Sequence, residues 1–186
     1  MTDTQRISRN LLSWFLMIFG GFCLVALLVL AVIVGYRIGP GNRDRIDSAS
    51  RQEVVHVLNW CGLGAGRFEQ VLHSHISARS VSGDHLDAFA IRISEVEISE
   101  LLAKTNHTTG QWYRGDQLPP LLQETVSFVA GWQTRLPWFP PEAELRSAGI
   151  YAFPWSIYCR GLRPSAAEVI FVRPADKTVF FLGAKL

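Results

Sequence analysis

The pattern of apolar and polar positions divides the chain in two. From Leu11 to Tyr36 no side chain is charged, and 26 helical residues at about 1.5 Å each span roughly 39 Å, more than the hydrocarbon core of a bilayer. The run is too long for a cleaved signal peptide, whose apolar core is about 7 to 15 residues and ends at a small-x-small site. Phe22 before Cys23 is the wrong residue for lipoprotein processing, so Cys23 reads as a small apolar side chain. Trp14 and Tyr36 stand where an aromatic belt would be. The pattern predicts a cytoplasmic tail over 1–10, a transmembrane signal anchor over 11–36, a linker over 37–47 and one domain over 48–186. Ala31 and Gly35 form a small-xxx-small pair through which a second copy of the helix can approach to make a homodimer.

Beyond the linker the apolar periods are short. Ser48 or Ser50 can cap a helix carrying Val54, Val55, Leu58 and Trp60, which Gly62-Leu63-Gly64-Ala65-Gly66 ends. Leu72, Ile76 and Ala78 then alternate with His73, His75, Ser77 and Arg79, and Phe89, Ile91 and Ile93 alternate after Ser82-Gly83. A two-residue loop there predicts a hairpin with Ile76 opposite Phe89 and His75 on a solvated polar face. Residues 97–104 predict a short helix. A longer one opening at Pro119 places Leu122, Val126 and Val129 on a stripe that Leu121, Phe128 and Trp132 broaden.

Tyr151, Phe153, Trp155, Ile157 and Cys159 make one strand face, with Pro154 arguing for an edge or a bulge. The segments 169–172 and 178–182 are apolar on both faces, as central strands are. The whole predicts an α+β domain with about five mostly antiparallel strands and two or three helices lying on one face.

Charge changes the picture by exclusion. The net +2 is concentrated before residue 47, where five Arg face two Asp, leaving 13 basic and 14 acidic residues beyond. Without a basic patch the domain lacks the electrostatic footprint of nucleic-acid binding. Around the helix, Arg6 and Arg9 precede it while Arg37, Arg43, Arg45 and Arg51 follow. That count favours a cytoplasmic domain, but long domains translocate largely regardless of charge. An inner-membrane protein with its C-terminal domain in the periplasm is the expectation. In that oxidising compartment Cys61 and Cys159 are a possible disulfide.

Candidate chemistry is sparse. His73 and His75 point the same way on a strand and are the metal candidates, although two ligands do not complete a zinc site. The glycine run lacks the G-x-G-x-x-G spacing and follows a helix rather than a strand, so no dinucleotide cofactor is expected. Cys61 and His56 lie more than a helical turn apart. Arg114-Gly115-Asp116 reads as a turn rather than an adhesion tripeptide, and Asn106-His107-Thr108 is a formal glycosylation acceptor. Trp138 and Phe139, held between prolines, are the candidate interface anchors. The leading expectation is a membrane-anchored module that binds a protein and uses no cofactor, such as an accessory subunit of an envelope or secretion complex or a toxin-binding immunity protein. The alternative is a metal-dependent envelope hydrolase using His73 and His75.

Overall fold

The computed structural model of the chain describes residues 3–39, 42–80, 82–103 and 110–186. It falls into two units, residues 1–42 and 43–186. The first is one helix, α1 (Asp3–Ile38), whose stretch Trp14–Gly35 is long and apolar enough to cross a membrane. Of the linker, Pro40 and Gly41 lie outside the described residues.

The second unit is α+β, built on one seven-stranded antiparallel sheet in the order β1-β2-β3-β7-β6-β5-β4. Five strands are long: β2 (Phe68–Ile76), β3 (His85–Ile93), β5 (Tyr151–Arg160), β6 (Arg163–Arg173) and β7 (Thr178–Lys185). The other two, β1 (Arg45–Ile46) and β4 (Tyr113–Arg114), are two-residue edges too short to leave a periodic signature. The helices are α2 (Arg51–Trp60), α3 (Ile98–Ala103), α4 (Pro120–Ala130) and α5 (Glu142–Leu145).

Helices cover both faces of the sheet, not one. Along β3, β6 and β7 alternate residues enter two cores. Leu86, Ala88, Ala90, Val169, Phe171, Phe180 and Leu182 pack under α4 and α5 with Leu122, Val126, Val129 and Leu145. Phe89, Ile91, Ile93, Ile170, Val172, Val179 and Phe181 pack under α2 and α3 with Val54, Val57, Leu58 and Leu101. Strands apolar on both sides leave no face that water can cover, so a second helical layer is required.

The hairpin register departs from the two-residue loop. Ile76 lies opposite Asp87 rather than Phe89, and Ser74 takes the place opposite Phe89. Ser77–Asp84 forms a wider loop in which the Ser80 hydroxyl accepts the Asp84 N–H at 2.8 Å and the Ser82 hydroxyl donates to the Asp84 carboxylate. The shift of two residues preserves side-chain parity, so Ile76 and Phe89 still share a face. In β5 the register shifts between Pro154 and Ser156. That bulge sends Ile157 to the opposite core from Tyr151 and Phe153 and breaks the predicted five-residue face.

The N-terminus of α2 ties β1 to the domain. The Glu53 carboxylate accepts the Ser50 N–H and hydroxyl at 2.8 and 2.9 Å and pairs with the Arg45 guanidinium at 2.8 Å. Arg45 first, then Ser50, pulls the Glu53 carboxyl down from the usual 4.5 to about 2. Because the folded value lies below the unfolded one, this contribution is complete above pH 4.5 and is lost as pH falls toward 2. The pair is exposed, so the effect is modest. In acid titrations followed by circular dichroism, Glu53→Gln is expected to lose stability less steeply than the parent over that window.

Candidate functional site

Of the two histidines only His75 leaves the solvated surface, while His73 stays exposed at the rim. Both project toward the core under α4, where their neighbours across the ladder are Ala90 and Ala88. His75 is buried, at 8% exposure, and its Nε2 has no hydrogen-bond partner. His73 stacks on Trp138 at 5.4 Å between centroids, with its Nδ1 3.5 Å from Asp47. Among the described residues no three His, Cys, Asp or Glu side chains converge as metal ligands.

Phe139 is not an interface anchor. It is 2% exposed and meets Phe171 and Phe180 edge to face at 6.1 and 5.7 Å. Trp138 is half-buried, packed edge to face on Phe139, so it closes the first core as much as it meets solvent. Cys159 is an exposed free thiol, so the Cys61–Cys159 bridge is not formed. Cys61 is buried under α2, with its thiol directed at the Leu58 carbonyl. A maleimide is expected to label Cys159 in the folded protein and Cys61 only after unfolding, which mass spectrometry of the labelled peptides reads directly.

Arg114-Gly115-Asp116 is structural: the two charged side chains pair with each other at 2.5 Å, and Gly115 lies against backbone atoms of Leu145 and Ser147. The glycine run ends α2, with Gly62 and Gly64 at positive φ. Asn106-His107-Thr108 lies outside the described residues.

What the fold does assemble is a polar groove on the α2 side of the sheet. Asp87, Gly183, Glu168 and Ser156 stand side by side on β3, β7, β6 and β5. The Phe181 ring and the Glu168 stem close over Gly183, where a Cβ would come within 3.0 and 3.5 Å of them. The next row is His85, Lys185, Ala166 and Tyr158, and these four line a groove of about 440 Å³ together with Glu168 and Ser156.

His56 reaches toward this region from α2, its ring against Trp60, which stacks in turn on Trp155 at 5.1 Å. Burial pushes the His56 imidazole below its usual value, against the opposing pull of Glu168 and Asp87. The buried Oδ1 of Asp87 has no partner among the described residues, while Oδ2 pairs with Arg79 at 2.5 Å. A buried carboxylate oxygen left open is an acceptor for a ligand's donor.

The arrangement suits binding better than catalysis. The Ser156 hydroxyl donates to the Glu168 carboxylate at 2.7 Å, whereas an activated serine donates to a histidine. The groove was not visible from sequence because its residues come from four strands, joined only by long-range pairing. The chain matches no family model, no curated protein and no solved structure.

Proposed function

We propose that the chain is a single-pass inner-membrane protein whose exported domain binds another protein and catalyses no reaction, as an accessory subunit or an immunity protein does. The observation that carries the anchor is the stretch Trp14–Gly35, whose mean hydropathy is 3.0 and none of which is buried. So much exposed apolar surface is tolerated in a bilayer and not in water. The binding surface is the groove next to Gly183, which offers the partner the Glu168 carboxylate and the Lys185 ammonium within one concave patch. Ala31 and Gly35 are both exposed on α1, one turn apart, and give a second copy of the helix a close approach.

Alkaline carbonate washing of membranes tests the anchor. The full chain is expected to stay in the pellet, and a Leu27→Arg/Leu28→Arg variant to move to the supernatant, because each central charge costs about 3 kcal/mol. Release of the parent chain would refute the anchor. Alkaline phosphatase fused after Leu186 is expected to be active, and an inactive fusion would place the domain in the cytoplasm.

A further inference from the structure

The β5–β6 hairpin ends in an unusual tip. Arg160 lies opposite Arg163, so Gly161 and Leu162 alone make the turn, with Gly161 at φ +67°. Leu162 is 95% exposed, the most exposed large apolar side chain among the described residues of the domain, and Tyr158, four residues before it, is 67% exposed. Arg160 and Arg163 are exposed, and among the described residues neither pairs with a carboxylate. An apolar tip flanked by unpaired cations contributes nothing to either core.

The ladder registers place this tip at a particular end of the sheet. Tyr158 is level with Ala166, Lys185 and His85, the residues nearest the loop between β2 and β3. Arg45 of β1 lies opposite Ile76, and β1 runs away from that loop, so residues 42–44 enter the domain at the same end. The Asp44 carboxylate fixes the entry by accepting the Ala78 N–H at 2.7 Å. Exposed Arg43 is there too. The chain that leaves the apolar helix at Ile38 reaches Arg43 in five residue steps, at most about 18 Å of extended backbone. The entry and the hairpin are five strand spacings apart, about 24 Å.

We infer that the β5–β6 hairpin is a second membrane contact, in which Leu162 and Tyr158 enter the interface of a bilayer while Arg160 and Arg163 meet anionic phospholipid headgroups. The inference rests on the reading of α1 as a membrane anchor. A leucine and a tyrosine would hold a free domain only weakly, but a short tether makes the contact intramolecular, and a weak site then suffices. Two attachments about 24 Å apart fix the tilt of the sheet over the membrane, which a single tether leaves undetermined.

The test uses the full chain with Cys23→Ala, which leaves the membrane segment without a thiol, in lipid nanodiscs, with a polarity-sensitive fluorophore on the exposed Cys159 and lipids brominated along their chains as quenchers. Quenching is expected to be about threefold stronger in discs containing phosphatidylglycerol than in phosphatidylcholine alone, because the paired arginines add an electrostatic term. It is expected to fall to the phosphatidylcholine level in Arg160→Gln/Arg163→Gln, and nearly to vanish in Leu162→Ser. These exposed positions leave the fold intact, which melting curves verify.

The fluorophore moved to the far end of the sheet, in Cys159→Ser/Ala175→Cys, is expected to remain unquenched. A disc-embedded chain with no quenching at residue 159, or with equal quenching at both ends, overturns the membrane contact and leaves the tip as a protein-binding element. A chain that does not stay with the disc at all refutes the anchor, and the contact with it.

Discussion

Replacing Phe139 by Ala is expected to destabilise the domain by about 3 to 5 kcal/mol, a large share of the stability of a domain this size. The ring lies between Phe171 and Phe180, contributed by adjacent strands, and pins the proline-rich segment after α4 against the sheet. Its removal opens a cavity that the segment cannot collapse to fill, because Pro137, Pro140 and Pro141 restrict the backbone on both sides. Urea denaturation measures the loss. Trp138→Ala, at the half-buried neighbour, is expected to cost less, and equal costs would mean that the two rings contribute alike to the core. A Phe139→Ala protein of full stability with impaired partner binding would restore the interface reading.

Gly115→Ala is the second large effect, and it arises from crowding rather than from a cavity. A Cβ at this position would collide with the Ser147 carbonyl oxygen and lie 2.5 Å from that of Leu145. Both obstacles are backbone, so neither can rotate aside, and the Gly115 N–H is committed to the Ile150 carbonyl at 2.8 Å. The methyl must therefore separate the segment after β4 from the end of α5, at a cost of about 3 kcal/mol, the upper part of the range for overpacking. Gly66→Ala is the control. A Cβ there meets nothing within 4 Å, and the change is expected to stay within about 0.5 kcal/mol. Thermal melts of the two variants should separate widely.

The parts of this fold that could be read from sequence are those governed by local rules. Ser50, one of the two candidate caps, stands at the start of α2, and Pro119 sits immediately before α4, whose Leu122, Val126 and Val129 are buried as the stripe required. Phe171 and Phe181, placed on central strands because both faces of those strands are apolar, lie in opposite cores. Where an extra residue enters a ladder the alternation changes sides, and no propensity marks the spot: Ile157 was misplaced by the bulge after Pro154.

His75 was misread for a different reason. Its neighbours along the strand are polar, but the side chains opposite and beyond it are the small Ala88 and Ala90, and space over small residues is filled from elsewhere in the chain. The groove at Gly183 is the extreme case. Each of its residues is ordinary in its own segment, and only the order of strands brings Asp87, Glu168 and His56 near one another.

That strand order also governs how the domain can come into being. β7 follows every other strand in the chain yet occupies the middle of the sheet, with Lys185 opposite His85, a hundred residues earlier. A ribosome adding about 5 to 20 residues per second needs roughly 5 to 20 s to supply the stretch between them. Throughout that interval the β2–β3 hairpin has one unpaired edge and neither core can close. The same delay keeps the polypeptide threadable. A chain whose central strand is made after the rest cannot lock into its final form too early, which is the condition a translocation channel imposes on anything it passes.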